Sequence, residues 1–336
     1  MNMLSAISKK IRRKIVYARN DIGNLWGGNL RSFREARGAR IVVYHGICEK
    51  DPLRYNNSFI TRKRFEEHLA FYRKHFHVVS LADYFEQRFD PDRFNVCITF
   101  DDGYANNYKY VFPLLMQYET PAAFFITGIR DAGRDILWND FLGIVSKHGP
   151  DVLTYKGAGY RKNPYAQYVS EQGGQRFSNL LREGGFGNKA EMMELLSGLC
   201  DFRNMPAEEE YWTQLTTEQI ATMATSSLVT IGCHGYYHTD LARLTLAEAT
   251  AEMRRSQEYL QRVSGQTITA IAFPYGSYTR ELVAAAKKMG FHQLLPLDLY
   301  FPEDSCDPAL RERFVVNPYI STTNQMIATI KRTYAF

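Results

Sequence analysis

The sequence lacks any long hydrophobic run, and its cysteines are few and scattered. No apolar stretch approaches the ~18–20 residues that a membrane-spanning helix needs. The absence of a CxxC pair argues against a disulfide framework or a zinc knuckle and favours reduced thiols. The apolar start MNMLSAIS precedes the basic run KKIRRK, the reverse of a secretory signal peptide. We therefore expect a cytoplasmic protein. The cysteines are Cys48, Cys97, Cys200, Cys233 and Cys306.

The net charge of +5 is unevenly distributed along the chain. Residues 1–40 hold ten Lys/Arg against two acids, a charge of +8, which leaves residues 41–336 at −3. A nearly neutral body argues against a nucleic-acid groove, so no nucleic-acid partner is expected. The basic segment has two interpretations. It is a solvated helix, or it is a peripheral anchor at the inner, anionic membrane face, with Ile7, Ile11, Ile15 and Val16 supplying apolar contacts.

Residues 41–336 are predicted to form one α/β barrel. The chain is 45% hydrophobic and 23% charged, a globular composition. Short apolar strands alternate with helices, which is typical of parallel βα units. The predicted strands are 41–47, 77–81, 95–100, 121–127, 228–233, 269–273, 291–297 and 313–318. The predicted helices cover about 61–75, 105–118, 216–224, 278–289 and a stretch from Thr245, and Thr216 and Thr245 each open a capping box.

This alternation is interrupted between about residues 138 and 211. Nine of the 23 glycines lie between Gly149 and Gly198, and no clean strand is visible there. We predict an insertion into the barrel, part helical and part loop. Long irregular segments in compact domains are commonly lids or binding segments, and the alternative is a peripheral helical decoration.

Residues able to do chemistry follow several of the predicted core strands directly. In parallel α/β barrels the carboxyl ends of the strands converge on one mouth, where the chemistry takes place. We therefore expect these side chains to lie close together. In chain order they are His45, Asp101, Asp102, His234, Pro274 and Tyr275.

Two of these positions belong to motifs with metal chemistry. In HGYYH, His234 and His238 would share one face of a helical turn and could reach the same ion. Two imidazoles and one carboxylate leave open positions on the metal, as in catalytic zinc sites. In DDGY, Asp101 and Asp102 could have different roles, with one binding the metal and the other acting as a base. Taken alone, DDGY is more often a polar turn and the HGYYH spacing more often reflects two unrelated histidines, and it is their placement after strands that favours a metal site.

Together and in this order, the motifs resemble those of the polysaccharide deacetylases of carbohydrate esterase family four. TFDDGY (99–104), GCHGYYHTDL (232–241) and FPYG (273–276) are similar to three motifs of that family. The resemblance covers about residues 41–127 and 214–318, on either side of the predicted insertion. It implies a distorted (β/α)7 barrel with a mixed helical and loop insertion.

The resemblance also implies a role for each matching residue. Asp101 would be the general base, and Asp102, His234 and His238 would bind the metal. Tyr275, together with Pro274, would line the substrate site, and the Tyr275 N–H would help to bind the oxyanion. Zinc is the default ion for such ligands, and cobalt, nickel and iron also fit them.

The sequence departs from the family pattern at three places. Ala272 occupies the position where many relatives carry an arginine that steadies the base. The stretch VVNPYI (315–320) lacks the Leu-x-His that supplies the general acid in many relatives, and Thr239 replaces a common proline. Some deacetylases of poly-N-acetylglucosamine resemble this chain at YHGI, so His45 is the candidate acid, with a hydrogen-bonded structural histidine as its alternative.

The predicted activity is metal-dependent removal of N-acetyl groups from an amino sugar in a polysaccharide or lipid-linked glycan. Two alternatives remain open at this point. One is a glycan-binding module whose active site has decayed, which Ala272 and the missing late histidine favour. The other is a metal-dependent amidase acting on a non-sugar amide, which would keep the same ligands and differ only in its pocket.

Overall fold

The computed structural model describes residues 3–55 and 57–334. Its strands, in chain order, are β1 (Ala39–Tyr44), β2 (Ile47–Cys48), β3 (Ile60–Thr61), β4 (Phe76–Val78), β5 (Phe94–Phe100), β6 (Ala122–Ile126), β7 (Val152–Tyr155), β8 (Ala158–Lys162), β9 (Tyr168–Ser170), β10 (Val229–Cys233), β11 (Ala270–Ala272), β12 (Gln293–Leu295) and β13 (Arg313–Val315). Its α-helices are α1 (Met3–Leu25), α2 (Leu30–Glu35), α3 (Arg62–His75), α4 (Leu81–Phe85), α5 (Phe112–Tyr118), α6 (Trp138–His148), α7 (Phe177–Arg182), α8 (Phe186–Leu196), α9 (Thr217–Ala224), α10 (Leu246–Ser264), α11 (Arg280–Lys288) and α12 (Thr322–Lys331).

Seven parallel strands form a nearly closed barrel in the order β12-β11-β10-β6-β5-β1-β13. An eighth strand, β4, pairs with the amino-terminal half of β5. The two outer strands meet through a few backbone hydrogen bonds, in which the Arg313 N–H donates to the Leu297 carbonyl at 3.1 Å and the Arg311 N–H to the Leu294 carbonyl at 3.0 Å. Helices surround the barrel, and the predicted distorted (β/α)7 architecture is confirmed.

Local sequence signals place several of the helices. Thr216 and Thr245 each accept a hydrogen bond from the backbone three residues on, and both predicted capping boxes are complete. Thr61 caps α3 in the same way. The helix predicted over 105–118 begins as a π-helical turn at Asn107–Val111 and continues as α5.

The insertion contains strands that the sequence analysis missed. β7, β8 and β9 form an antiparallel sheet in which Leu153 lies opposite Tyr160 and Arg161 opposite Val169. The strands have three to five residues and are joined by turns of two and five residues, so they are too brief to stand out by alternation. Helices α6, α7 and α8 pack with this sheet around a hydrophobic cluster formed by residues between Ile136 and Trp212.

The basic amino-terminal segment forms α1, followed by the short helix α2. Phe33 of α2 is buried and packs edge-on against Phe71 of α3, with ring centroids 4.8 Å apart. None of the helices within the described residues combines the length and the apolar content needed to cross a bilayer.

Candidate active site

A cavity of about 190 Å³ lies at the carboxyl ends of the barrel strands. It gathers side chains from loops that follow β1, β5, β10 and β11, together with residues from β13 and from the insertion. The lining residues are His45, Ser58, Asp101, Asp102, Tyr104, Asn139, His234, His238, Phe273, Tyr275, Gly276, Leu297 and Arg313. The predicted convergence of strand ends therefore holds in the structure.

Asp102, His234 and His238 bring one carboxylate and two imidazoles together. The Nε2 atom of each histidine lies 3.2 Å from Oδ1 of Asp102, and all three side chains are buried. Nδ1 of His234 lies 2.8 Å from the Ala272 carbonyl. A carbonyl can only accept a hydrogen bond, so Nδ1 carries the proton, and Nε2 keeps the lone pair that can bind a metal ion. The ligand atoms lie within 4.8 Å of one another, an arrangement that fits a divalent ion.

Left-handed backbone conformations orient the candidate metal-ligand side chains towards one another. Asp102 has φ 74°, Gly103 φ 81° and His238 φ 56°. Such conformations cost free energy in non-glycine residues and often occur at functional sites. A Cβ atom on Gly103 would lie 2.8 Å from a methyl carbon of Ile126, so glycine is required there. The predicted helical turn for HGYYH is wrong, because this segment is a bend after β10, yet both imidazoles still meet at Asp102.

Asp101 is held by Arg313, a residue that the sequence analysis did not identify. Nη1 and Nη2 of Arg313 donate to the two carboxylate oxygens at 2.7 and 2.8 Å, and both side chains are buried. Burial alone would raise the pKa of Asp101, but the charge and hydrogen bonds of Arg313, together with the nearby imidazoles of His234 and His45, outweigh burial, and the pKa lies below its ordinary value. Each carboxylate oxygen keeps a further lone pair, so the fork does not prevent Asp101 from accepting a proton.

Arg313 takes the place that the sequence analysis found empty at Ala272. It lies on β13, two strands away from β5 across the intervening β1. One sequence signal could have identified Arg313. It is the first residue of RFVV, an otherwise apolar strand that is predicted to be buried. A fully buried arginine needs a carboxylate or equivalent partner.

His45 lies in the cavity directly after β1. Its Nδ1 atom is buried and has no hydrogen-bond partner among the described residues. Burial lowers the pKa of His45, and the nearby carboxylates of Asp102 and Asp101 only partly oppose this effect. The imidazole is therefore available to a bound molecule, and its lowered pKa favours the neutral form.

Tyr275 also lines the cavity, in a left-handed conformation with φ 61°. Its ring lies 5.1 Å from the His238 ring, and the guanidinium of Arg182 from α7 stacks over it at 4.3 Å. Pro274 is buried beside Gly235 and is not among the described residues that line the cavity.

The insertion supplies three consecutive residues at the start of α6. The Trp138 indole N–H donates to the His238 carbonyl at 3.1 Å. Oδ1 of Asn139, whose side chain lines the cavity, is buried with no partner among the described residues. Asp140 accepts a hydrogen bond from the Tyr104 hydroxyl at 2.9 Å. The insertion therefore forms part of the site's wall and is not merely a peripheral decoration.

Comparison with known proteins agrees with this geometry. Residues 90–152 and 202–294 match the family model described as polysaccharide deacetylase. The chain carries a polysaccharide deacetylase domain. The gap in that match falls inside the insertion, and both motifs that supply the metal-ligand candidates lie in matched segments. The predicted family resemblance is confirmed.

Solved structures of other proteins share the fold. A deacetylase of Streptococcus pyogenes, PplD, solved in complex with acetate, superposes with a TM-score of 0.55 at 16% identity, over 88% of this chain and 99% of that one. IcaB from Ammonifex degensii gives a TM-score of 0.52 at 18% identity, over 88% and 98%. At these identities the likeness concerns the fold alone.

One curated relative is similar in sequence. YxkH of Bacillus subtilis (strain 168), whose name assigns it provisionally to the polysaccharide deacetylases, is 22% identical over 255 residues. The match covers 75% of this chain and 61% of the relative, so this chain spans less than two thirds of that protein's length.

Proposed function

We propose that the protein is a metal-dependent hydrolase that removes N-acetyl groups from an amino sugar in a polysaccharide or lipid-linked glycan. The observation that carries this proposal is that one cavity contains both a candidate base and a candidate set of metal ligands. Asp101 is held ionised by Arg313, and beside it Asp102, His234 and His238 present a metal-ligand set. A base next to a Lewis-acid site is one arrangement that catalyses amide hydrolysis.

Asp102, His234 and His238 would hold the ion, and we propose zinc, with cobalt, nickel and iron as ions that suit the same ligands. When bound, a divalent ion polarises a carbonyl and lowers the pKa of water. Nδ1 of His238 has no hydrogen-bond partner among the described residues, and Nδ1 of His234 is bonded to the Ala272 carbonyl, so the Nε2 atoms, both directed at Asp102, are the ones that would bind the ion.

The other residues would handle protons and charge. Asp101 accepts the proton of the water whose oxygen attacks the acetamide carbon. The Tyr275 N–H donates to the oxyanion that forms, a kind of stabilisation worth several kcal/mol. His45 donates a proton to the departing amine as the C–N bond breaks, because an amide anion is a poor leaving group. The products are acetate and a free amino sugar.

Acetate release from N-acetylhexosamine oligomers, with and without a chelator, tests this function. Asp101→Asn should retain the metal and lose activity by roughly 10²–10⁴-fold, the usual contribution of a general base. Asp92→Asn, at an exposed position, is the matched control and should change nothing. Near-normal turnover in Asp101→Asn would contradict the assignment of the base.

The same assay separates the two alternatives. A decayed binding module would retain oligomers without releasing acetate. A non-sugar amidase would release no acetate from these oligomers and would hydrolyse an amide that is not part of a sugar. Arg313 removes one argument for decay, because the steadying arginine that is missing at Ala272 is supplied by another strand.

A further inference from the structure

Helix α1 docks on the barrel through polar side chains. The Asn20 amide donates to Oδ1 of Asn324 on α12 at 2.8 Å. The Asn324 amide in turn donates to Oδ1 of Asp21 at 3.0 Å and to the Tyr17 carbonyl at 3.1 Å. An amphipathic surface helix normally turns its apolar stripe towards the core, so the orientation of α1 is the reverse of the usual one.

The face of α1 that points away from these contacts is apolar. Its residues are spaced by four, seven and three positions, which places them on one side of a helix, and Trp26 follows directly. All are exposed, most strongly Leu25 at 84% and Trp26 at 86%. This exposed apolar face consists of Ile11, Ile15, Ile22, Leu25 and Trp26.

Two residues of the membrane anchor predicted from the sequence differ from this set. Val16 is exposed but lies about 100° around the helix from Ile15, off the apolar face. Ile7 lies outside the side chains that the structure describes. Of the four predicted apolar contacts, Ile11 and Ile15 therefore belong to the exposed apolar face.

Basic side chains flank the exposed apolar face on both sides. By helical register, Arg12 and Arg19 lie along one flank and Lys14 along the other. Among the described side chains, no carboxylate forms an ion pair with any of these three residues. An apolar stripe bordered by unpaired cations is typical of helices that lie in the interface of an anionic bilayer, and tryptophan favours the same depth.

We propose that α1 binds the protein peripherally to an anionic lipid bilayer, with the exposed apolar face inserted among the headgroups and acyl chain ends. Charge selects this occupant over a second copy of the chain. Face-to-face pairing of two copies would bring together two segments of +8 each, whereas an anionic surface complements them. The α12 contact lies just after the loop that leaves the carboxyl end of β13, so α1 meets the barrel on the cavity side.

Co-sedimentation of the full chain with vesicles tests the proposal. Vesicles of phosphatidylcholine with phosphatidylglycerol should bind the protein at low salt, and vesicles of phosphatidylcholine alone should not. Binding should weaken steeply towards 1 M salt, where the Debye length falls to ~3 Å. Lys14→Gln with Arg19→Gln should weaken binding about 30-fold, since each basic residue at such a surface contributes roughly a five-fold factor.

The apolar contribution needs its own variants. Ile15→Ser with Ile22→Ser and Leu25→Ser should abolish binding while leaving thermal stability unchanged, because all three side chains are exposed. Leu195→Ser with Leu246→Ser removes exposed leucines elsewhere, and Arg254→Gln with Lys288→Gln removes exposed charges elsewhere. Both control pairs should bind like the unaltered protein.

Three results would overturn the proposal. The first is no binding to the anionic vesicles at low salt. The second is equal binding to neutral vesicles without salt dependence. The third is a dimer in analytical ultracentrifugation that dissociates in the triple serine variant, which would assign the exposed apolar face to a second copy. None of these readouts involves deacetylase activity.

Discussion

At the scale of single residues, Arg313 has two effects on Asp101, the proposed base. The two hydrogen bonds from Arg313 fix the plane of the carboxylate, and the guanidinium charge, together with the nearby imidazoles, lowers the pKa of Asp101 despite burial. A base with a lowered pKa is a weaker proton acceptor, but it is in the active form over a wider range of pH. Arg313 acts through Asp101 and is therefore a positioning residue.

Arg313→Met should shift the pH profile of kcat/KM. Without the guanidinium, burial raises the pKa of Asp101, so the carboxylate is protonated at a higher pH and the acid limb of activity moves upward. The loss should therefore be larger at pH 5 than at pH 8. Breaking a buried pair also costs about 3–5 kcal/mol of stability, so thermal unfolding must accompany the assay.

Arg313→Lys distinguishes charge from geometry. Lysine keeps the charge and loses the planar fork, so it should restore much of the acid limb and only part of the rate. Arg254→Met, at an exposed position, should leave the profile unchanged. A profile for Arg313→Met that keeps its shape and only loses amplitude would mean that Arg313 is structural alone.

His45→Ala should separate amide from ester hydrolysis. The variant should retain metal and lose turnover on acetamides, whose amine needs a proton in order to leave. It should lose much less on an activated acetyl ester, whose leaving group needs none. Parallel losses on both substrates, or no loss on either, would assign His45 a structural role.

The sequence predicts the metal-ligand candidates and the base candidate because each lies within a few residues of the end of a buried strand. That rule is local and needs only the strands to be recognised. This rule does not identify Arg313, because its partner Asp101 is 212 positions away and the contact depends on the order of the strands across the barrel. The bend at His238 escapes it as well, since a left-handed histidine has no local sequence signature.

At the scale of elements, α6 connects the insertion to the loop that carries the candidate metal ligand His238. The Trp138 indole holds the carbonyl of His238, a residue with an unfavourable φ of 56°. This hydrogen bond helps to keep the His238 imidazole directed at Asp102. Outer partners bonded to the ligating side chain typically contribute 10–100-fold to metal affinity, and this hydrogen bond acts on the imidazole through its own backbone.

Trp138→Phe should therefore weaken metal binding about 10-fold or more, measured by competition with a chromophoric chelator. Trp212→Phe is a matched control within the same hydrophobic cluster, because its indole nitrogen is buried with no hydrogen-bond partner among the described residues. It should leave metal affinity unchanged. Equal affinity losses in the two variants would show that packing of the cluster, and not the Trp138 hydrogen bond, supports the site.

Elements with strong local signals were predicted well, and those without them were not. Both capping boxes and the long apolar strands depend on residues within one turn or one strand. β7, β8 and β9 stabilise one another only as a sheet, through pairings such as Leu153 with Tyr160. None of these three strands is long enough for its sequence alone to predict a strand or its pairing.

At the scale of the whole molecule, the described chain has separate hydrophobic clusters for the barrel and the insertion. The larger cluster spans the barrel and its helices, and the insertion cluster draws on residues from Ile136 to Trp212. The two meet at the cavity, where Trp138, Asn139 and Asp140 contact or line the site. Separate clusters can open independently, whereas one shared core opens as a unit.

Hydrogen exchange in Leu181→Ala should show this independence. Leu181 is fully buried in the insertion cluster, and truncating such a leucine costs about 2–5 kcal/mol. Amides of β7 to β9 should therefore lose protection by orders of magnitude while those of β1 and β5 keep theirs. Leu294→Ala, at an equally buried position in the barrel cluster, should show the opposite pattern. A uniform loss of protection across both regions in Leu181→Ala would mean that the barrel and the insertion unfold together. The insertion residues that line the site would then be as stable as the barrel residues that line it.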